Sequence, residues 1–168
     1  MEKIPMEIER KFLIAYPDEA QLLAQPGCSK TEIAQTYLTP APDGAERRVR
    51  KRGLDGAYTY TCTEKIFLTP VRRVEREREL SEAEYTELLK HTNPEMNTLY
   101  KTRYAIPHEG LICEVDVYPD ILDWAVLEIE FKDESMTLPL PPFVKVIRDV
   151  TGVREYSNAY LARRQKDE

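Results

Sequence analysis

The sequence predicts an α+β domain built on an antiparallel sheet, and three observations predict it. Eight stretches alternate polar and apolar residues with a period of two, the signature of strands with two unlike faces. Turn signals separate several of them: Pro42-Asp43-Gly44, Gly53 to Gly56, and Glu109-Gly110. Helical signals are fewer and lie between or after the strands. Strands in hairpin-like succession form either an open sheet with one wet face or a closed barrel, and the strand faces must decide between them.

In chain order the strands are MEIERKFLI (6 to 14), QTYLT (35 to 39), ERRVRKR (46 to 52), YTYTCTEKI (58 to 66), RRVEREREL (72 to 80), LYKTRYAIP (99 to 107), LICEVDVY (111 to 118) and AVLEIEF (125 to 131). A helix is expected over 17 to 24, with Pro17 at a permitted first-turn position. The clearest helix follows strand five. Ser81 and Glu84 make a capping box, Leu80 and Tyr85 hold the staple positions, and the helix should run to about His91. Two more helices are expected over 142 to 149 and 155 to 164, after the stiff connector LPLPP at 138 to 142.

With 168 residues the chain suits a single domain spanning 1 to 168. A net charge of -6 argues against a general nucleic-acid binder, because phosphate neutralisation needs a cationic surface. Cys28, Cys62 and Cys113 are widely spaced and include no CxxC pair, so they read as reduced structural thiols. No apolar run approaches the roughly 20 residues of a membrane span, and no apolar signal segment opens the chain. The expectation is a cytoplasmic protein, monomer or homodimer, with no nucleic-acid or membrane partner.

Alternate residues place Glu7, Glu9 and Lys11 on one face of the first strand. The same side then carries Arg48 and Arg50, Lys65, Arg73 with Glu75 and Glu77, Lys101 and Arg103, Glu114 and Asp116, and Glu128 and Glu130. The opposite side is apolar on the better-patterned strands, as in Cys113, Val115, Val117 and Leu127, Ile129, Phe131. A merely solubilising face intersperses both signs. Here the signs are sorted by strand, as they would be around a bound object both anionic and metal-bearing. Carboxylates at i and i+2 point the same way and suit hard divalent cations such as Mg²⁺ or Mn²⁺. Arginine and lysine rows suit phosphate oxygens. No glycine-rich phosphate loop of the GxxxxGK or GxGxxG type is present, so side chains must hold the phosphates.

EIERKF at 7 to 12 resembles the ExExK signature that opens CYTH domains, the triphosphate tunnel metalloenzymes. The resemblance runs along nearly the whole chain, through RRVRKR, TCTEK, RVERE, YKTRY, CEVDVY and LEIEF. It implies a closed eight-stranded antiparallel β-barrel forming a tunnel, with helices packed outside and a C-terminal helix near one mouth. It further implies metal-dependent hydrolysis of a triphosphate, here inorganic tripolyphosphate, to pyrophosphate and phosphate. By the same resemblance Glu7, Glu9, Glu128 and Glu130 hold the divalent metal, Mg²⁺ or Mn²⁺. Lys11, Arg48, Arg50, Lys65, Arg73, Lys101 and Arg103 bind substrate, and Glu7, Glu9, Lys11 and Lys65 are the catalytic candidates. Glu75, Glu77, Glu114 and Asp116 are additional ligands or groups that orient the cations.

VTGVREYSNAYLA resembles the family's closing segment, which makes Tyr156, Asn158 and Tyr160 candidates for lining one mouth. The more basic FVKVIRDVTG before it departs from the family pattern. Glu46 and Arg52 share the tunnel parity but sit at strand ends. Arg72, Arg76 and Arg78 read as solvated, His91 and His108 have no metal-like spacing, and Trp124 is expected in the core. Nucleoside or thiamine triphosphatase, class IV adenylyl cyclase and a non-catalytic polyphosphate or nucleotide sensor are the alternatives.

Overall fold

The computed structural model describes residues 6–163, with the side chains of Met6 and Glu7 outside the description. Strands β1 (Met6–Ala15), β2 (Ser29–Tyr37), β3 (Glu46–Leu54), β4 (Ala57–Phe67), β5 (Arg72–Leu80), β6 (Leu99–His108), β7 (Leu111–Val117) and β8 (Trp124–Phe131) form one antiparallel sheet. Their order is β5-β4-β3-β2-β6-β7-β8-β1, and β1 also pairs with β5, so the sheet closes into an eight-stranded barrel. Among the described residues β5 takes the β1 edge at Met6 to Ile8, and β9 (Val146–Asp149) takes the same edge further along, at Phe12 to Ile14.

Two hairpins have the geometry their sequences dictate. Asp55-Gly56 and Glu109-Gly110 both have positive φ at each residue, 53° and 86° in the first and 51° and 78° in the second. That backbone matches the twist of the flanking strands. The outward faces of the strands make two apolar clusters. Phe12, Ile14, Tyr104, Ile106, Val115, Leu127 and Ile129 pack with Leu22 of α1 (Glu19–Leu23) and with Phe143. Val49, Cys62 and Leu80 pack under α2 (Glu82–Leu88) and the 3₁₀ turn Leu89–His91. Ser81 and Glu84 form the expected capping box on α2. No described helix is long and apolar enough to cross a membrane.

Several sequence expectations are corrected. The helix expected over 142 to 149 is instead a turn followed by β9, because the edge of β1 beyond β5 needs a pairing partner and recruits this β-branched segment. The helix expected over 155 to 164 divides into a 3₁₀ turn, Arg154–Tyr156, and α3 (Asn158–Ala162), with the Ser157 hydroxyl accepting from the Tyr160 amide as the cap. Pro17 lies before the true cap of α1, Asp18, whose carboxylate accepts from the Ala20 amide. β2 begins at Ser29 rather than at 35, because its first half is held by β6 rather than by its own alternation. Trp124 is not in the core; it is partly exposed on β8, edge-on to Tyr118 and Tyr156. Residues 164 to 168 of the polar tail lie outside the described part.

Candidate functional site

The barrel interior is a cavity of about 580 Å³. Its walls are sorted by charge around the ring. β4, β3, β2 and β6 are neighbours, and their inward residues include Lys65, Arg48, Arg50, Lys101 and Arg103. β7, β8, β1 and β5 complete the circle with Glu114, Glu128, Glu130, Glu9, Glu75 and Glu77, interrupted by Lys11 and Arg73. One half of the barrel is therefore basic and the other mainly acidic.

The two halves join along ion-paired ladders. At the β4–β5 seam Lys65 lies directly opposite Glu75, 3.6 Å away, and Glu75 also faces Arg48 at 3.6 Å. At the β6–β7 seam Arg103 lies opposite Asp116 and donates to both of its oxygens, at 2.8 and 2.9 Å. Lys101 Nζ stands 3.0 Å from the same carboxylate, and Arg103 also reaches Glu114 at 2.9 Å. Burial opposes the charge on Asp116, but Arg103 and Lys101 outweigh it and hold its carboxyl well below the usual range.

Within the acidic half, like charges face one another. Glu9 lies opposite Glu130, and Glu128 lies opposite Glu114. Burial, then the negative charges of Glu9 and Glu75, pushes the Glu130 carboxyl upward. Glu114 is pushed up to about 7 by burial, despite the opposing pull of Arg103. Glu9 pairs with Arg73 and Glu128 with Lys11, the latter at 3.4 Å. Among the described residues no three acidic, histidine or cysteine side chains already converge as a metal cluster. The donor set is nevertheless the right one for a hard divalent cation: carboxylate oxygens, with Glu9 and Glu130 directly opposed between β1 and β8. Glu7, whose backbone lies opposite Arg73, would be the next carboxylate along this face, but its side chain is outside the description.

The basic half lacks an anion by the same reasoning. Arg48 Nε, Arg50 Nε and Thr61 Oγ1 are buried donors with no hydrogen-bond partner among the described residues. Leaving such groups dry and unpaired costs about 1–3 kcal/mol each, more for charged ones. Burial lowers Lys101 to about 7 and, with help from Arg48, Lys65 to about 8. Arg50 falls to about 10 through burial and the nearby charges of Arg48 and Arg103. An oxyanion in this half would satisfy the orphaned donors and restore the depressed cations together.

One end of the cavity is closed by the chain after β9. Val150 and Thr151 bond to the backbone of Lys11, whose Nζ donates to the Tyr156 carbonyl at 3.3 Å. Tyr118 donates to Asn158 Oδ1 at 2.6 Å. Gly152, at φ +74°, lies so close to Pro70 that a Cβ would approach it to 2.8 Å, which locks this segment against the β4–β5 hairpin.

Of the residues singled out in the sequence, Glu9, Lys11, Arg48, Arg50, Lys65, Arg73, Glu75, Glu77, Lys101, Arg103, Glu114, Glu128 and Glu130 all line this cavity. Asp116, on the inward side of β7, is fully buried beneath Lys101 and Arg103 and does not itself line the cavity. Glu46, Arg52 and Asn158 line it as well, whereas Tyr160 does not, and the Tyr156 ring turns away to Arg148 and Trp124. The sequence reading assigned nothing inward from β2, yet Tyr37 lines the cavity and Gln35 lies beside it. Their alternation in QTY was visible; only their lack of charge hid them.

No family model matches the sequence, and no curated protein does. Solved structures do. One structure of the protein NE1496 matches at 30% identity and TM-score 0.56, over 93% of this chain and 97% of that one. A second structure, which names NE1496 an inorganic triphosphatase, matches at 29% identity and the same TM-score, over 96% and 95%. The PH1819 protein of Pyrococcus horikoshii OT3 shares the fold at 20% identity and TM-score 0.56, over 77% of this chain and 80% of its own. HpAC1 of Hippeastrum, assigned as an adenylyl cyclase and described as revealing a dominant triphosphatase activity, shares it at 15% identity and TM-score 0.51, over 77% and 81%. The charge-sorted closed barrel and the near full-length match to NE1496 together place the chain: it belongs to the CYTH family of triphosphate tunnel proteins.

Proposed function

We propose that this protein hydrolyses inorganic tripolyphosphate to pyrophosphate and phosphate, with a divalent cation, Mg²⁺ or Mn²⁺, in the cytoplasm. One observation carries the reading: a cavity whose basic half holds buried, unpartnered donors and whose acidic half holds opposed carboxylates. A polyanion and a metal answer those two deficits together, and an inorganic triphosphate is the compact molecule that brings both.

In this reading Arg48, Arg50, Lys101 and Arg103 bind the phosphate oxygens, and Lys65 and Lys11 hold the chain from the neighbouring strands. Asp116 fixes the Arg103 guanidinium through two hydrogen bonds, so that its remaining donors keep their direction. Glu9, Glu128 and Glu130, with Glu7, would hold the metal, which when bound supplies charge neutralisation and a more acidic water. Glu7 or Glu9 orients the attacking water toward the terminal phosphorus. The cations stabilise charge as the bridging bond breaks and pyrophosphate leaves. The segment 150 to 159 closes one end, which excludes bulk water from that side.

NE1496 is named an inorganic triphosphatase, which supports the substrate choice. The test is purified protein given tripolyphosphate, ATP and thiamine triphosphate in parallel, each with Mg²⁺ or Mn²⁺, scored for phosphate, pyrophosphate and cyclic nucleotide. Tripolyphosphate should turn over fastest and stop with a chelator. Cyclic nucleotide as the main product would overturn the reading in favour of a cyclase, and binding without turnover would make the protein a sensor.

A further inference from the structure

β4 puts hydroxyls where its neighbours put charge. Its inward residues Thr61 and Thr63 stand between the arginines of β3 and the acids of β5 in two rows, Arg48 with Thr63 and Glu77, and Arg50 with Thr61 and Glu79. The ion pairs do not follow those rows. Arg48 meets Glu75 at 3.6 Å and Arg50 meets Glu77 at 2.9 Å, so each pair leans by one two-residue step as it crosses β4. The paired residues stand on strands about 10 Å apart, and the short side chains of β4 leave them room to meet above it.

Thr63 settles which way Glu77 leans. It is 1% exposed, it does not line the cavity, and its hydroxyl donates to Glu77 Oε1 at 3.1 Å. The same oxygen accepts from Arg50 Nη2 at 2.9 Å. Chemistry fixes the direction of both bonds, since an ionised carboxylate can only accept. The Glu77 side chain is 44% exposed against 7% for Arg50, so Glu77 is the member of the pair with rotamer freedom to lose. A hydrogen bond from a buried hydroxyl removes that freedom. Glu77 then fixes one end of the Arg50 guanidinium, and Arg50 Nε, buried and without a hydrogen-bond partner among the described residues, is left to serve a ligand.

We propose that Thr63 is a positioning residue for substrate capture: its hydroxyl holds Glu77 over β4, and Glu77 in turn aims the Arg50 guanidinium at a phosphate oxygen. The inference rests on the triphosphate reading above and adds to it a residue that acts without touching substrate.

The test is steady-state kinetics on whichever triphosphate the wild-type protein turns over, with tripolyphosphate binding followed by isothermal titration calorimetry. The calorimetry decides alone if the protein binds without turnover. Thr63→Val keeps the shape of the side chain and removes the hydroxyl. It should raise KM and weaken binding about 3- to 10-fold with kcat little changed, a smaller effect than losing Arg50 itself. Thr63→Ser gives the hydroxyl back without the methyl and should restore most of the loss. Glu77→Ala should raise KM at least as much as Thr63→Val, and Thr63→Val should add less than about 2-fold in that background, because its effect passes through the carboxylate. Melting curves check that each variant is folded. Wild-type KM and affinity in Thr63→Val overturn the proposal. So does a Thr63→Ser as impaired as Thr63→Val, which would assign the effect to packing of the methyl, and so does an undiminished Thr63→Val effect in the Glu77→Ala background. A wild-type protein that neither turns over nor binds a triphosphate overturns the parent reading, and this inference falls with it.

Discussion

Replacing Asp116 by Asn tests whether the β6–β7 seam holds the barrel closed. Asp116 is 0% exposed and serves two buried cations, Arg103 through both oxygens and Lys101 at 3.0 Å. Asparagine keeps the volume but removes the charge, and its amide presents N–H to groups that can only donate. Breaking a buried pair by removing one partner costs about 3–5 kcal/mol. For a chain of this size each kcal/mol moves Tm by about 2–4 °C, so the variant should melt about 6–20 °C lower. The pH dependence follows from the direction of the shift. Asp116 is held below its unfolded value of about 3.9, so its contribution is complete above about pH 4 and is lost as pH falls through its folded value. The gap between wild type and variant should therefore narrow below about pH 4. It should also narrow at high pH, because Lys101 titrates near 7 and, once neutral, no longer needs the carboxylate. Thermal melts of both proteins across that range are the assay. A Tm difference under about 2 °C at pH 6 would refute the reasoning.

Glu130→Ala should leave the protein folded, since removing a partly exposed charge from opposite Glu9 relieves repulsion, yet lower metal-dependent turnover at least about 100-fold. Turnover at saturating metal and a melting curve measure the two halves of that statement. Arg50→Ala should raise KM for tripolyphosphate about 10-fold or more and change kcat less, because Arg50 grips substrate from the wall. As pH rises past about 7 to 8, Lys101 and then Lys65 lose their protons in the free protein, so kcat/KM should fall across that range; a flat profile would contradict the roles given to both lysines. Tripolyphosphate and a divalent cation added together should raise Tm by more than the sum of each alone, a differential scanning fluorimetry measurement, because each neutralises the other's half of the cavity.

Legibility in the sequence followed the physics of each element. The inward faces of β1, β7 and β8 were readable because charged and apolar residues alternate there, whereas β3 and β5 carry charge on both faces and were placed by the resemblance of their motifs. The first half of β2 was not readable, since SKTEIA carries no such contrast and its place is set by pairing with β6. FVKVIRDV reads as a helix by spacing yet becomes β9, because the β1 edge beyond β5 would otherwise stay unpaired. Tyr37 and Gln35 were missed for a different reason: a search for charge cannot see a neutral donor. Which cation pairs with which acid was beyond the sequence as well, for the Glu9 to Arg73 pair depends on how the barrel closes.

The sorting of charge explains why the barrel must be built from segments so far apart in sequence. Opposed like charges on neighbouring antiparallel strands are destabilising, and the fold concentrates them in two places. Glu9 faces Glu130 and Glu128 faces Glu114 inside the acidic half, while the arginines of β3 and the cations of β6 sit either side of neutral β2 inside the basic half. Opposite charges meet at the two seams, Lys65 with Glu75 and Arg103 with Asp116, and within the acidic half at the two cations it holds, Arg73 beside Glu9 and Lys11 beside Glu128. The seams supply attraction across the closed ring, while each half keeps close like charges: Glu9 opposite Glu130 on one side, and Arg50 lowered by Arg48 and Arg103 on the other. An interior built for stability alone would have interleaved the signs strand by strand. Keeping them apart leaves a standing demand for an anion on one side and a cation on the other, and that demand is the binding energy.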